Sequence, residues 1–88
     1  MRLDLFLKKS RVVKTRAKSK TLCRKEMVLL NDVKAKAGKD VKPNDIIRID
    51  FSKRILVIEV TKMPTGNVPK SEVTSYYNVI KDEKVNII

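Results

Sequence analysis

Ten of the chain's 21 Lys and Arg residues fall between Arg2 and Lys25, where Asp4 is the one acid. Residues 26–88 carry eleven basic and nine acidic residues, so they are nearly balanced. Clustered cations of this kind neutralise phosphates, and Arg grips a phosphate with two parallel N–H donors. A pI near 10.1 makes nucleic acid the first expectation for a partner and an anionic membrane the second.

Catalysis is poorly supplied, and no enzyme activity is expected. The chain has no His, so neither a Ser/His nor a Cys/His pair exists, and no zinc set is available. Gly38 and Gly66 are too few and too isolated for a phosphate-binding loop. Asp40, Asp45 and Asp50 recur every five residues in a turn-and-strand region, which suits turn formers and solvated strand positions. Cys23 is alone and reads as a small half-buried side chain. No cofactor and no metal are expected. A lone thiol fits a reducing cytoplasm. Leu5-Phe6-Leu7 is too short for a signal-peptide core, and no stretch approaches a membrane span.

The elements that must position the cations follow from periodicity. Leu3, Phe6 and Leu7 lie at i, i+3, i+4 and predict a short helix, with Asp4 suited to the positive end of its dipole. Val12-Val13 is an apolar connector. Thr15 is the expected N-cap of a second helix from Arg16 to about Lys25. At 100° per residue, Ser19, Leu22 and Cys23 face inward. Arg16, Lys20 and Arg24 form one outward ridge, and Lys14, Lys18 and Lys25 form another. Like charges at i, i+4 repel by a few tenths of a kcal/mol per pair, roughly, so stability does not explain the one-sided composition. The apolar arc lacks a bulky wedge and is weak for membrane insertion. Few aromatics accompany the cations, which favours structured RNA over single-strand stacking.

Beyond the helices, Met27–Leu30 and Val33–Lys36 flank Asn31-Asp32 and predict a tight hairpin. Val41–Asp45 reads as a turn with Pro43 at its second position and Asn44 left-handed. Ile46–Phe51 and Ile55–Val60 are the two best strands, with partial covering expected on their second face. Residues 61–69 read as loop, Ser71–Ser75 as a short helical turn and Tyr76–Ile80 as a last strand. From Lys81 onward the chain reads as a loose tail.

Arg2-Leu3-Asp4-x-Phe6-Leu7, Ser10-Arg11, Lys14-Thr15-Arg16, Asn31, Lys36, Val41 and Pro43-x-Asp45 strongly resemble the S-four RNA-binding domain over about residues 1–60. Freestanding members of this length resemble ribosome-associated quality-control factors of the RqcP type, relatives of the Hsp-fifteen family. The resemblance implies an α+β fold, an αα turn packed on a small antiparallel sheet, over residues 1–61. Residues 62–88 would form a C-terminal extension. By motif match, Arg2, Arg11, Lys14, Thr15, Arg16 and Lys36 would contact RNA, with Lys8, Lys18 and Lys20 added on charge and placement. The implied partners are ribosomal RNA and peptidyl-tRNA on the large ribosomal subunit, with a tailing factor of the same pathway nearby. The chain itself would be monomeric. Two other roles stay open: ribosome assembly or recycling, and docking on an acidic protein or membrane surface. The chain departs from the pattern at Glu26, where a glycine is usual after the second helix, and at Ser19, Asp32 and Asn44.

Overall fold

A computed structural model describes residues 1–63 and 76–85. Two helices, α1 (Leu3–Lys9) and α2 (Arg16–Arg24), precede five strands: β1 (Val28–Leu30), β2 (Val33–Lys34), β3 (Ile46–Asp50), β4 (Arg54–Val60) and β5 (Tyr77–Lys84). The strands form one antiparallel sheet in the order β2-β1-β3-β4-β5. This is the expected α+β arrangement of an αα turn on a sheet.

Helix α1 forms because its apolar stripe is its core face: Leu3, Phe6 and Leu7 are fully buried. Truncating Phe6 to Ala would cost about 3–5 kcal/mol, the usual range for emptying a buried aromatic site. No side chain caps the helix at Arg2. The N–H groups of Leu3 and Asp4 instead donate to the carbonyls of Lys39 (2.8 Å) and Ala37 (3.1 Å). Donors that a helix start leaves unpaired are thus satisfied by the loop after β2, and that loop is fixed against α1.

Helix α2 begins as its sequence predicts, with the Lys18 N–H donating to Thr15 Oγ1 at 3.1 Å. Ser19, Leu22 and Cys23 are buried on its inner side. Ser19 fits there because its hydroxyl donates to the Thr15 carbonyl at 3.2 Å, so no polar atom is stranded. At the far end the Glu26 N–H donates to Cys23 and the Met27 N–H to Leu22, both at 3.0 Å. This paired 5→2 and 6→1 pattern is a Schellman motif with Glu26 in the left-handed position, at φ 61°.

The turns carry the left-handed residues that the sequence predicts. Asn31 (φ 51°) and Asp32 (φ 67°) are both left-handed, as a type I′ hairpin requires. In the turn before β3, Pro43 precedes Asn44 at φ 76°, and the Asp45 N–H donates to the Lys42 carbonyl at 3.2 Å. That is a type II turn with Asn in the usual glycine place. Along β3 and β4, Ile47 faces Ile58 and Ile49 faces Leu56, and all four are buried. On the opposite face Ile55 and Val57 are half-buried.

The C-terminal expectation is corrected. The last strand does not stop at Ile80. β5 runs to Lys84 and pairs with β4 from Val60↔Tyr77 to Arg54↔Lys84, with a register shift at Val57/Ile58. The supposed loose tail at residues 81–84 is therefore sheet. Arg54 holds Asp82 through two bonds, Nε to Oδ1 at 2.6 Å and Nη2 to Oδ2 at 2.9 Å. Beyond Tyr77, β5 is an edge strand whose side chains are all exposed, so no alternation of apolar and polar residues announces it. The helical turn expected at Ser71–Ser75 lies outside the described residues.

Candidate nucleic-acid interface

Asp4 stands at the centre of the basic end of the molecule, fully buried. Its Oδ1 accepts from Arg2 Nε at 3.1 Å and from the Leu5 N–H at 2.9 Å. Its Oδ2 accepts from Arg16 Nε at 3.1 Å. Burial pushes this carboxyl up, but the hydrogen bonds from Arg16, Arg2 and Leu5 outweigh it and hold it below the ordinary carboxylate range. One carboxylate thus joins the residue before α1 to the first residue of α2. The two arginine side chains stay 52% and 43% exposed.

Arg2 also reaches the loop that caps α1. Its backbone forms a bridge to Asp40, and a methyl placed on Gly38 would lie 3.8 Å from its Cζ. The same loop carries Lys36. A shallow hollow of about 350 Å³ between α2 and this loop is lined by Lys20, Arg24 and Lys36, with Cys23, Glu26 and Ala37. Lys36, distant in sequence, therefore joins the cations of α2.

Outside the helices, Lys34 pairs with Glu26, Arg54 with Asp82 and Lys81 with Glu83. On the helical side, Lys8, Lys14, Lys18, Lys20, Arg24 and Lys36 are exposed, and no carboxylate among the described residues pairs with them. Uncompensated cations on a rigid surface, together with two arginines fixed at Nε, are suited to bind the phosphates of a polyanion. Among the described residues no His/Cys/Asp/Glu cluster could hold a metal ion. Burial, reinforced by the charge of Asp4, pushes the Cys23 thiol up to about 11, which leaves it a core side chain at neutral pH. No helix of the described residues is long and apolar enough to cross a membrane.

A family model for the S4 domain matches residues 1–47, more than half of the chain. The chain belongs to the S4 domain family. Two relatives match over nearly their whole length. The "RQC P-site tRNA stabilizing factor" of Bacillus subtilis (strain 168) is 34% identical, with 97% of this chain and 98% of the relative covered. The protein of the same name from Halalkalibacterium halodurans is 37% identical, with 98% and 97% covered. The structure of Vibrio cholerae Heat Shock Protein 15 superposes with a TM-score of 0.83 at 24% identity, over 90% of this chain and 80% of that one. At that identity it bears on the fold alone.

Within this S4 domain the nine residues singled out from sequence are all exposed. The fold gathers four of them in two sets, Arg2 and Arg16 around Asp4, and Lys20 and Lys36 around the hollow, while Lys8 lies on α1, Lys14 precedes α2 and Lys18 lies on it. Thr15 serves as the α2 N-cap, its hydroxyl already accepting from Lys18. Arg11 sits just past α1 at φ 61°, a strained conformation for a residue with a side chain. Two features escaped sequence reasoning. Arg24 belongs beside Lys20 and Lys36, which its place on the Arg16–Lys20–Arg24 ridge could have signalled. Asp4 reads from sequence as a helix-dipole residue and a motif position, and its place twelve residues before Arg16 gives no periodic signal for the ion pair.

Proposed function

We propose that this protein is a non-enzymatic RNA-binding factor of ribosome-associated quality control. It seats on a large ribosomal subunit that carries a peptidyl-tRNA, contacts ribosomal RNA and tRNA together, and stabilises the tRNA during carboxy-terminal tailing of the stalled nascent chain. The contacts are Arg2, Lys8, Arg11, Lys14, Thr15, Arg16, Lys18, Lys20 and Lys36, acting by phosphate neutralisation and shape. It acts as a monomer beside a separate tailing factor, in the cytoplasm.

The observation that carries this reading is the run of exposed, unpaired cations on the helical side, where the one acid between Arg2 and Lys25, Asp4, is already held by Arg2 and Arg16. Full-length similarity to RQC P-site tRNA stabilizing factors supports the choice of RNA and of pathway. Sedimentation of the protein with purified large subunits, with and without peptidyl-tRNA, tests it. Co-sedimentation that depends on peptidyl-tRNA is the expected result. Equal binding to empty subunits would point to assembly or recycling, and protein partners retained after nuclease digestion would point away from RNA.

A further inference from the structure

We propose that Asp4 is a positioning residue for RNA binding: its buried carboxylate sets the two guanidinium groups of Arg2 and Arg16 in fixed orientation toward the phosphates. This rests on the RNA-binding reading above and specifies how part of that face works.

A carboxylate in the middle of a phosphate-binding surface is unfavourable by charge alone. It repels the ligand, and it lies fully buried, where an ionised group must be well paired to persist. By charge alone, a neutral side chain at this position would therefore tighten binding to a polyanion. The arrangement of its bonds supplies the compensating gain. Arg2 and Arg16 come from different elements, and each is held through Nε. Among the described residues nothing else takes their terminal nitrogens, which are the atoms a bidentate phosphate contact uses.

Asp4 is itself tied to the backbone at both its side chain and its own N–H. The Leu5 N–H donates to its Oδ1, and its own N–H donates to the Ala37 carbonyl. Long arginine side chains lose rotamer freedom when they bind, and fixing them beforehand removes that loss from the binding step. Both fixed arginines then belong to the same rigid platform as the loop that carries Lys36.

The test uses the full chain and purified large ribosomal subunits carrying peptidyl-tRNA, with affinity measured over a salt series. Asp4→Asn adds one positive charge and keeps the shape, yet places an amide N–H₂ against an arginine donor. It is expected to bind about tenfold more weakly than wild type. Its log–log salt slope should be shallower by about 0.7–0.9, the contribution of one phosphate contact. In an Arg2→Ala/Arg16→Ala background, Asp4→Asn should change affinity less than about twofold, because the residues through which it acts are gone.

A purely structural role would lower the melting temperature and leave the affinity and salt slope of the folded protein in place. Folded Asp4→Asn that binds as tightly as wild type, or more tightly, overturns the proposal. Should Asp4→Asn not fold, the Nε–H groups of Arg2 and Arg16 in the free wild-type protein decide, read by NMR order parameters. Order well above that of the exposed Arg48 before any RNA is added supports positioning. Arg2 and Arg16 as mobile as Arg48 overturn it. Wild type that fails to bind the subunit would sink the RNA-binding reading itself, an outcome distinct from variants that match a binding wild type.

Discussion

The carboxylate of Glu26 lies 3.1 Å from the ammonium of Lys34, bridging the end of α2 and the β1–β2 hairpin. Glu26 is the left-handed residue of the Schellman turn, where a residue with a Cβ is disfavoured by roughly 1–2 kcal/mol. Both partners of the ion pair are 65% exposed, and exposed pairs contribute only a few tenths to about 1 kcal/mol. The backbone effect is the larger of the two. Glu26→Gly should therefore stabilise the protein by about 0.5–1 kcal/mol, and about 1 kcal/mol raises the midpoint by roughly 4–8 °C in a domain of this size. Thermal unfolding followed by circular dichroism checks it. A lower midpoint would mean that the pair outweighs the strain.

Much of the fold was legible because its local signals agreed with one another. Leu3, Phe6 and Leu7 mark α1 by spacing, Thr15 marks the start of α2, and Asn31-Asp32 and Pro43-Asn44 mark turns by residue type. What escaped depends on neighbours that sequence does not display. β5 is long because β4 offers it a backbone edge and Arg54 grips Asp82, while its own exposed side chains carry no pattern. The capping of α1 by the carbonyls of Ala37 and Lys39 leaves no trace in residue type. At the interface the charge cluster was visible from composition. The Asp4 bridge, and the meeting of Arg24 with Lys36, required the tertiary structure.

The strength of RNA binding should fall steeply with salt. If six of the eight cations proposed as contacts each neutralise a phosphate, the log–log slope is about −4 to −5, at roughly 0.7–0.9 per phosphate. Lys14 and Lys18 are exposed and have no carboxylate partner among the described residues. Lys14→Ala and Lys18→Ala should each weaken binding about three- to fivefold and flatten the slope by about one contact. Each should shift stability by no more than about 0.5 kcal/mol. A salt series on each variant, paired with a melting curve, separates the two effects. A slope near zero in wild type would rule out phosphate neutralisation.

Arg16→Ala should behave differently from these lysines, because Arg16 also supports a buried charge. Without it Asp4 keeps Arg2 and the Leu5 N–H but loses the partner of Oδ2. Losing a hydrogen bond between charged groups typically costs about 1.5–3 kcal/mol. The variant is expected to lose both affinity and midpoint temperature while remaining folded at 25 °C. If urea unfolding shows wild-type stability, the Asp4–Arg16 bond makes no net contribution.

The Cys23 thiol should resist alkylation. Burial, with the charge of Asp4 behind it, pushes its pKa up to about 11 from 9.0. That shift alone reduces the thiolate population about a hundredfold at pH 8, and the thiolate is the nucleophile. Iodoacetamide labelling at pH 8, followed by mass spectrometry, should be at least about a hundredfold slower in the folded protein than in urea. Comparable rates would show that the inner side of α2 opens readily.

Acid should remove the contribution of Asp4 to stability. Its pKa is depressed in the folded chain, because the bonds from Arg16, Arg2 and Leu5 overcome the effect of burial. The unfolded carboxyl titrates near the ordinary value of about 3.9. The stabilisation is therefore present above that value and is lost as pH falls through the lower folded-state pKa. Asp40, held down by the N-terminal ammonium, Asp82, by Arg54, and Glu83, by Lys81, lose stabilisation in the same direction. Wild-type acid unfolding alone cannot assign a share to Asp4, but comparison with Asp4→Asn can. At pH 7 the variant should be less stable than wild type in urea unfolding. As pH falls from 4 to 2, protonated Asp4 becomes a neutral neighbour of two guanidinium groups, much like Asn, and the gap should narrow. A gap that stays constant from pH 7 to pH 2 would show that Asp4 stabilises the fold by shape, with no contribution from its charge.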